Sequence, residues 1–323
     1  MLYPLKFEPI LKDKIWGGNK LKSLYNKPAL TDKLGESWEL SGYEGDESVV
    51  VNGFLAGNNL QELIEIYMGE LIGDENYEKF GHSFPLLFKL IDANDNLSIQ
   101  VHPGDEVAEE RHGSFGKTEM WYVVDAEVGA ELIIGFNDNC SSEVYLDALE
   151  AGTVESLLQK VPVAKGDVFF IPAGLVHAIG SGVVIAEIQQ SSDITYRIYD
   201  YKRTDDNGNE RELHTEQALD VISFDAAKDP KTKYNCAMNQ VQNLVNCEYF
   251  TTNIIKFNQT LSPNYSALDS FVAYMCLEGG FVIECNDTKT VVNKGDTVLI
   301  PASVDNLLLI PDGAVSLLEV SIQ

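Results

Sequence analysis

A short segment that occurs twice is the feature of this sequence that most restricts its fold. The first copy, residues 165–177, reads KGDVFFIPAGLVH, and the second, residues 294–306, reads KGDTVLIPASVDN. Each copy predicts a glycine turn, a strand of apolar residues, and a proline that ends the pairing of that strand. The repeat therefore predicts two similar β-domains in tandem. The copies differ at one reactive position, because His177 in the first is replaced by Asn306 in the second.

Short apolar or alternating runs with turn residues between them occupy most of the remaining chain. Runs such as Met120 to Val124 and Val183 to Ile188 are rich in β-branched and aromatic residues, which is typical of strands. Few segments show helical spacing, and the clearest is Asn59 to Ile72. The sequence thus predicts a mainly β fold of two tandem jelly-roll β-barrels with a few short helices. We expect a catalytic domain over residues 1–235 and a degenerate domain over residues 236–323.

The charge of the chain limits its partners. The 323 residues include 50 Asp and Glu against 23 Lys and Arg, a net charge of -27. Such a chain lacks the basic surface that nucleic acids and anionic membranes require, so neither is expected as a partner. If the substrate is an anion, the few basic residues must gather where it binds.

The cysteines and the N-terminal sequence indicate a reducing compartment. The five cysteines include no C-x-x-C pair, so neither a disulfide framework nor a thiolate zinc site is predicted. No basic stretch followed by an apolar run begins the chain, and no apolar stretch reaches the length of a membrane span. The expected location is the cytoplasm.

Four polar residues in apolar surroundings are candidates for metal ligands. Gln100 and His102 lie two residues apart in a predicted strand, so they project to the same face. Glu119 opens a strongly apolar strand, where an unpaired carboxylate is costly to bury. His177 follows a strand and a Pro-x-Gly turn. Two imidazoles, a carboxylate and an amide oxygen suit a divalent metal; zinc fits, and Fe(II), Mn(II) and Co(II) are alternatives.

Basic residues cluster shortly after His177. Arg197 lies between Tyr196 and Ile198 in a predicted strand, and Lys202 and Arg203 follow it. In an acidic chain these three are candidates for binding a phosphate or the oxygens of a sugar.

Taken together, these residues resemble a known family. Gly166, Pro172, Gly174 and His177 match the second motif of the cupin superfamily. With Gln100-x-His102-Pro103, Lys117-x-Glu119 and Arg197, the chain resembles the short bacterial form of type I mannose-6-phosphate isomerase. The N-terminal segments at residues 15–18 and 35–41 are similar to that form as well.

The resemblance implies specific roles for these residues. It implies one zinc ion per chain, held by Gln100, His102, Glu119 and His177. It places Arg197, Lys117 and Glu187 in the active site. A basic residue is expected a few positions after the arginine, at Arg203 or the adjacent Lys202.

The implied reaction is the interconversion of mannose 6-phosphate and fructose 6-phosphate, so the expected partner is a small sugar phosphate. The expected assembly is a monomer or a weak homodimer. The base that moves the proton is either Glu187 or a zinc-bound hydroxide. Lys117, Lys202 and Arg203 are alternatives for the phosphate contact. Another metal-dependent cupin enzyme, or a cupin that binds a sugar phosphate without turnover, remains open as an alternative.

Overall fold

In the computed structural model, which describes residues 1–204 and 208–322, the chain is mainly β, as predicted. In chain order the strands are β1 (Leu5–Lys6), β2 (Ile10–Gly18), β3 (Leu34–Tyr43), β4 (Asp46–Glu47), β5 (Leu86–Ala93), β6 (Ile99–Val101), β7 (Glu119–Ala126), β8 (Glu131–Phe136), β9 (Leu158–Pro162), β10 (Val168–Ile171), β11 (His177–Ile179), β12 (Val183–Gln190), β13 (Tyr196–Tyr199), β14 (Gln240–Asn246), β15 (Thr251–Phe257), β16 (Val272–Glu278), β17 (Gly280–Cys285), β18 (Thr288–Asn293), β19 (Thr297–Ile300), β20 (Leu308–Pro311) and β21 (Val315–Ser321). The α-helices are α1 (Lys20–Tyr25), α2 (Leu60–Tyr67), α3 (Gly69–Ile72), α4 (Asp74–Phe80), α5 (Asp105–His112), α6 (Ser142–Glu150) and α7 (Thr215–Leu219), with 3-10 turns at Gly53–Leu55 and Val154–Leu157.

The chain forms two compact units, each made of separate segments. The terminal unit contains Met1–Ile10, Trp38–Phe88 and the chain from Lys233 onward. The central unit contains Leu11–Ser37 and Lys89–Thr232. These units are assembled from discontinuous parts of the chain. The division of the chain into a catalytic domain over residues 1–235 and a degenerate domain over residues 236–323 stays a prediction.

Two antiparallel sheets build much of the terminal unit. One has the strand order β1-β19-β16-β21-β15-β14, and the other the order β18-β17-β20. Buried side chains of both sheets form one apolar core, which includes Phe257, Tyr274, Phe281 and Leu309.

The central unit contains the sheet β13-β6-β11-β8-β9 and strands of the sheet β10-β7-β12-β5-β3-β2. Every residue of β12 is buried, which accounts for its nearly continuous apolar sequence. Two apolar cores lie in this unit, one around Trp121 and Phe169 and one around Phe136 and Tyr145. Within residues 1–204 and 208–322 the sheets are open, so the mainly β prediction is confirmed but the predicted jelly-roll barrels are not closed. The buried faces of these sheets are covered because one sheet packs on another. This packing does not require a sheet to close into a barrel.

The repeated segment adopts the same turn in both copies. Gly166 and Gly295 both have positive φ angles, 95° and 89°. The Asp167 side chain accepts a hydrogen bond from Ala164 N at 2.9 Å, and Asp296 accepts one from Asn293 N at 2.8 Å. A side chain at either glycine would be strained at this φ angle, so the shared Lys-Gly-Asp sequence encodes this turn.

Strand register extends the comparison beyond the repeated segment. Ile171 pairs with Glu119, and its counterpart Ile300 pairs with Val272. Val272 therefore occupies in the terminal unit the position that Glu119 has in the central unit. Since Asn306 also replaces His177, the terminal unit lacks two of the predicted metal ligands.

The helices are short, as predicted, but one differs in detail. The segment Asn59 to Ile72 forms two helices, because Met68 between them has a φ angle of 48°. Asn59 begins α2 with a capping box that includes Glu62. Among the helices of the described residues, none is long and apolar enough to cross a membrane.

Candidate active site

Three of the four predicted metal ligands converge in the central unit. His102 follows β6, His177 begins β11, and Glu119 begins β7. The Nε2 atoms of the two histidines are 3.1 Å apart. Glu119 Oε1 lies 3.6 Å from His177 Nε2, and Glu119 Oε2 lies 3.8 Å from His102 Nε2. All three side chains are buried, so the strand ends bring one carboxylate and two imidazoles to one point.

Backbone carbonyls orient both imidazole rings. His102 Nδ1 lies 2.7 Å from Ile194 O, and His177 Nδ1 lies 2.8 Å from Leu175 O. Because a carbonyl only accepts, each Nδ1 carries the proton and each Nε2 presents a lone pair to the shared centre. Burial lowers the pKa of His177 to about 4, and burial together with Lys117 lowers the pKa of His102 well below its usual value. Both rings are therefore neutral near pH 7, the form that binds metals.

The charge pattern of this group fits a bound cation. Two Nε2 lone pairs that face each other at 3.1 Å repel unless a positive charge lies between them. Glu119 Oε1 is buried without a hydrogen-bond partner among the described residues. A buried unsatisfied carboxylate oxygen is costly, and a metal ion satisfies it.

Gln100 completes the set that the sequence predicted. It pairs with His177 across β6 and β11, and its Nε2 lies 3.3 Å from His177 Nε2. Rotation of the terminal amide by half a turn exchanges its nitrogen and oxygen, which brings Oε1 to the same place. All four predicted ligands therefore lie together.

Lys117 supplies a positive charge at the same point. Its ammonium donates to Glu119 Oε2 and lies 3.2 Å from His102 Nε2. The side chain is buried, so the pair Lys117 and Glu119 is electrically compensated within the protein.

A polar cavity of about 250 Å³ lies beside this group, and its lining includes both Gln100 and Lys117. Among the described residues, the lining contains five basic and three acidic side chains. They are Lys14, Lys89, Lys117, Arg197 and Arg211, and Glu36, Glu187 and Asp193. This excess of basic side chains contrasts with the net charge of -27, as expected for an anionic substrate.

Glu187 is a buried carboxylate in the cavity wall. Trp121 Nε1 donates to its Oε1 at 2.9 Å, and Lys89 Nζ lies 3.6 Å from its Oε2. Burial and the nearby Glu119 raise the pKa of Glu187, whereas Lys117 and Lys89 oppose the increase. Burial alone would lower the pKa of Lys89, but Glu187 and further carboxylates raise it above its usual value. Lys89 is therefore charged, and it balances Glu187.

Arg197 and Arg211 both line the cavity. Burial and the nearby Arg211 lower the pKa of Arg197, whose Nη1 donates to Glu212 O at 2.8 Å. Its Nε is buried and has no partner among the described residues. Arg211 is fixed by two hydrogen bonds to Asp200, at 2.6 Å and 2.7 Å. Two fixed guanidinium groups close enough to repel form a suitable place for an anion.

The structure does not bring Lys202 and Arg203 to this cavity. Lys202 is exposed, and Arg203 donates to Asn96 O and to Asp200 Oδ1, each at 2.5 Å. Neither is part of the described lining. A role of these two residues in phosphate binding stays a prediction.

Comparisons with known proteins identify the family. Residues 4–140 match the phosphomannose isomerase type I catalytic domain, and residues 240–317 match the mannose-6-phosphate isomerase cupin domain. A mannose-6-phosphate isomerase of Streptococcus mutans is 37% identical over 309 residues, which cover 94% of this chain and 94% of the relative. The chain belongs to the type I phosphomannose isomerase family. It is an isomerase with a cupin-type fold, as the sequence motifs indicated.

Further comparisons support the same family. A mannose-6-phosphate isomerase of Bacillus subtilis is 37% identical over 305 residues, covering 92% of this chain and 93% of the relative. A solved mannose 6-phosphate isomerase from Bacillus subtilis has a TM-score of 0.88 at 31% identity, covering 99% of both chains. A phosphomannose isomerase from Salmonella typhimurium, with a TM-score of 0.79 at 16% identity and 100% coverage of both, shares the fold.

Sequence reasoning missed several residues that line the cavity of this isomerase. Lys14 comes before the Trp-Gly-Gly segment, Lys89 lies in the apolar strand β5, and Arg211 lies in a polar loop. A lysine inside a run as apolar as Leu86 to Ala93 is the one usable signal, since a buried ammonium requires a partner. Nothing in the local sequence distinguishes Arg211 from a surface arginine.

Proposed function

We propose that this isomerase interconverts D-mannose 6-phosphate and D-fructose 6-phosphate and uses one zinc ion per chain. The observation that carries the proposal is the buried pair of neutral imidazoles beside Glu119, adjacent to a cavity with an excess of basic side chains. The ligand group can hold a catalytic cation, and the adjacent cavity can hold an anionic sugar phosphate. The identity and coverage of the relatives support the same substrate.

The metal would be held by Gln100, His102, Glu119 and His177. Nitrogen and oxygen donors of this kind suit zinc, and neutral imidazoles with fixed Nδ1 protons are ready to bind it. When bound, the ion supplies positive charge that stabilises an oxyanion.

Glu187 is proposed as the base. Aldose–ketose interconversion moves one proton from C2 to C1 of the sugar and one from the C2 hydroxyl to the C1 oxygen. Glu187 takes the proton from C2 as the C1–C2 double bond forms, and returns it to C1 as the carbonyl forms at C2. Its raised pKa makes it a better proton acceptor than an ordinary carboxylate, and Trp121 orients its Oε1.

Basic side chains are proposed to bind the rest of the substrate. Arg197 and Arg211 together would bind the phosphate, since both face one cavity and both are fixed by backbone or carboxylate oxygens. Lys117 stands next to the ligand group, where it would stabilise negative charge on the reacting oxygens.

The terminal unit is proposed to be a cupin-type domain without a metal, so that the chain carries two related domains in tandem. The shared turn at Gly166 and Gly295 supports a common origin, and Val272 and Asn306 replace two ligands. Cytoplasmic location and a monomeric or weakly dimeric state are part of the proposal. So is the absence of nucleic-acid and membrane partners, which agrees with the net charge of -27.

A coupled assay on mannose 6-phosphate, combined with metal analysis of the same sample, tests the function. We expect fructose 6-phosphate as the product and about one zinc per chain. Iron with oxygen consumption would indicate a cupin oxygenase instead. Tight binding of mannose 6-phosphate without turnover would indicate a binding protein, and either result would overturn the proposal.

A further inference from the structure

The backbone on both sides of Lys117 is held by three consecutive hydrogen bonds. Gly116 N donates to Asp105 Oδ1 at 2.8 Å, Lys117 N donates to Pro103 O at 3.1 Å, and Thr118 N donates to Gln190 Oε1 at 2.9 Å. Two of the three acceptors are side chains, although this segment comes before β7 and belongs to no helix or strand. Such complete use of backbone donors outside regular structure indicates a segment whose position matters.

Gln190 connects two of these contacts. Its Nε2 donates to Asp105 Oδ1 at 2.8 Å, the same oxygen that accepts from Gly116 N. Its own backbone N donates to Thr118 O at 3.1 Å, so Gln190 binds Thr118 through both backbone and side chain. The amide orientation is fixed by its neighbours, since Oε1 faces a backbone donor and Nε2 faces a carboxylate.

Close contact at Gly116 keeps this segment against the turn that follows His102. A Cβ atom at Gly116 would lie 2.6 Å from Asp105 N and 2.7 Å from Gly104 C. The two backbones therefore touch, and only glycine permits the approach. Hydrogen bonds to Asp105 and Gln190 hold the same segment.

We infer that Gln190, together with Asp105, is a positioning residue for Lys117. The lysine side chain has four rotatable bonds, so its ammonium stays beside His102 and Glu119 only if its backbone is fixed. Gln190 is buried and does not line the cavity, so it acts through the backbone and not on the substrate. This inference rests on the proposed function for the role of Lys117.

One substitution removes the contact of Gln190 with Thr118, a second opposes it by charge repulsion from Asp105, and a third preserves it. Gln190→Met keeps the chain length but removes the acceptor for Thr118 N and the donor to Asp105. Gln190→Glu keeps the acceptor but places a second carboxylate oxygen against Asp105 Oδ1. Asp105→Asn is the matched control, because one amide oxygen still accepts from both Gly116 N and Gln190 Nε2.

The test measures kcat, KM, metal content and hydrogen exchange of the peptide over residues 113–120. Both Gln190 variants should lower kcat by about 10- to 100-fold, as expected from a displacement of about 1 Å, with KM changed less than about twofold. Metal content should stay at the wild-type level, because Ile194 O and Leu175 O orient the histidines independently. Exchange in the peptide should become faster in both Gln190 variants, whereas Asp105→Asn, which keeps the acceptor oxygen, should leave that exchange close to the wild-type rate.

Three outcomes would overturn the inference: unchanged kcat, unchanged exchange in this peptide, or loss of metal in both Gln190 variants. The last would show that Gln190 supports the ligand group or the fold in place of Lys117. Failure of the proposed function is a separate result, since wild-type protein would then not convert mannose 6-phosphate. The exchange measurement still tests the backbone contact in that case.

Discussion

Replacement of Lys89 by methionine tests how strongly the buried charges of the cavity depend on one another. Lys89 and Glu187 have side chains that are each only 4% exposed, and their charged atoms are 3.6 Å apart. At an effective dielectric constant of about 20, this attraction amounts to about 4 to 5 kcal/mol. Removal of one partner of such a buried pair destabilises proteins by about 3 to 5 kcal/mol, because the other charge stays buried.

Lys160→Met is the matched control. Lys160 pairs with Glu155 at 3.5 Å, nearly the same distance, but these side chains are 50% and 38% exposed. Water screens such a pair, so its loss should cost about 0.2 to 1 kcal/mol. Urea unfolding of the two variants therefore compares ion pairs that differ mainly in burial.

The destabilisation by Lys89→Met should depend on pH. Without the ammonium, the pKa of Glu187 rises further above that of an unfolded glutamate, which is about 4.3. Above that pH the unfolded chain releases the proton while the folded variant still holds it, so stability falls as pH rises toward the folded pKa.

We expect a larger loss of stability at about pH 8 than at about pH 5, and an acidic limb of kcat/KM that lies at higher pH than in wild type. Equal small losses in both variants, or a loss independent of pH, would refute the reasoning.

The remaining predictions concern the ligands and the arginines. His177→Ala should lose both metal and activity, whereas Asn306→Ala at the matching position of the repeat should keep both. Elemental analysis combined with the coupled assay measures both properties. Metal retained in His177→Ala would contradict the ligand assignment. Arg197→Ala should lower kcat/KM with metal retained, and an unchanged kcat/KM would remove Arg197 from the substrate site. Arg211→Ala should raise KM by about 10-fold or more, with partial recovery in Arg211→Lys, if it binds the phosphate; an unchanged KM would contradict that role. Because the pKa of His177 is about 4, metal content should fall only in strongly acidic buffer, and loss near neutral pH would show that protonation of this ring is not what limits binding.

Local sequence was sufficient for features that depend on neighbouring residues along the chain. The period of two in a strand placed Gln100 and His102 on one face, and the Lys-Gly-Asp sequence encoded the same turn at Gly166 and Gly295. The mainly β character and the convergence of the four ligand candidates followed from such patterns together with the family resemblance.

Other features depended on which distant segments pair, and these appeared only in the structure. Open sheets replaced the expected barrels, and each compact unit drew on separated segments of the chain. The loop arginine Arg211 proved to line the cavity, whereas Lys202 and Arg203 did not.

The sequence by itself thus determined the candidate ligands, the turns and the replacement of His177 by Asn306 in the second copy, because each depends on residue type and short spacing. Tertiary structure decided which charges surround the donors. Burial and distance, not residue type, make Lys89 and Glu187 a strongly coupled pair and leave Lys160 and Glu155 a weak one, since the dielectric around a charge is set by the whole fold.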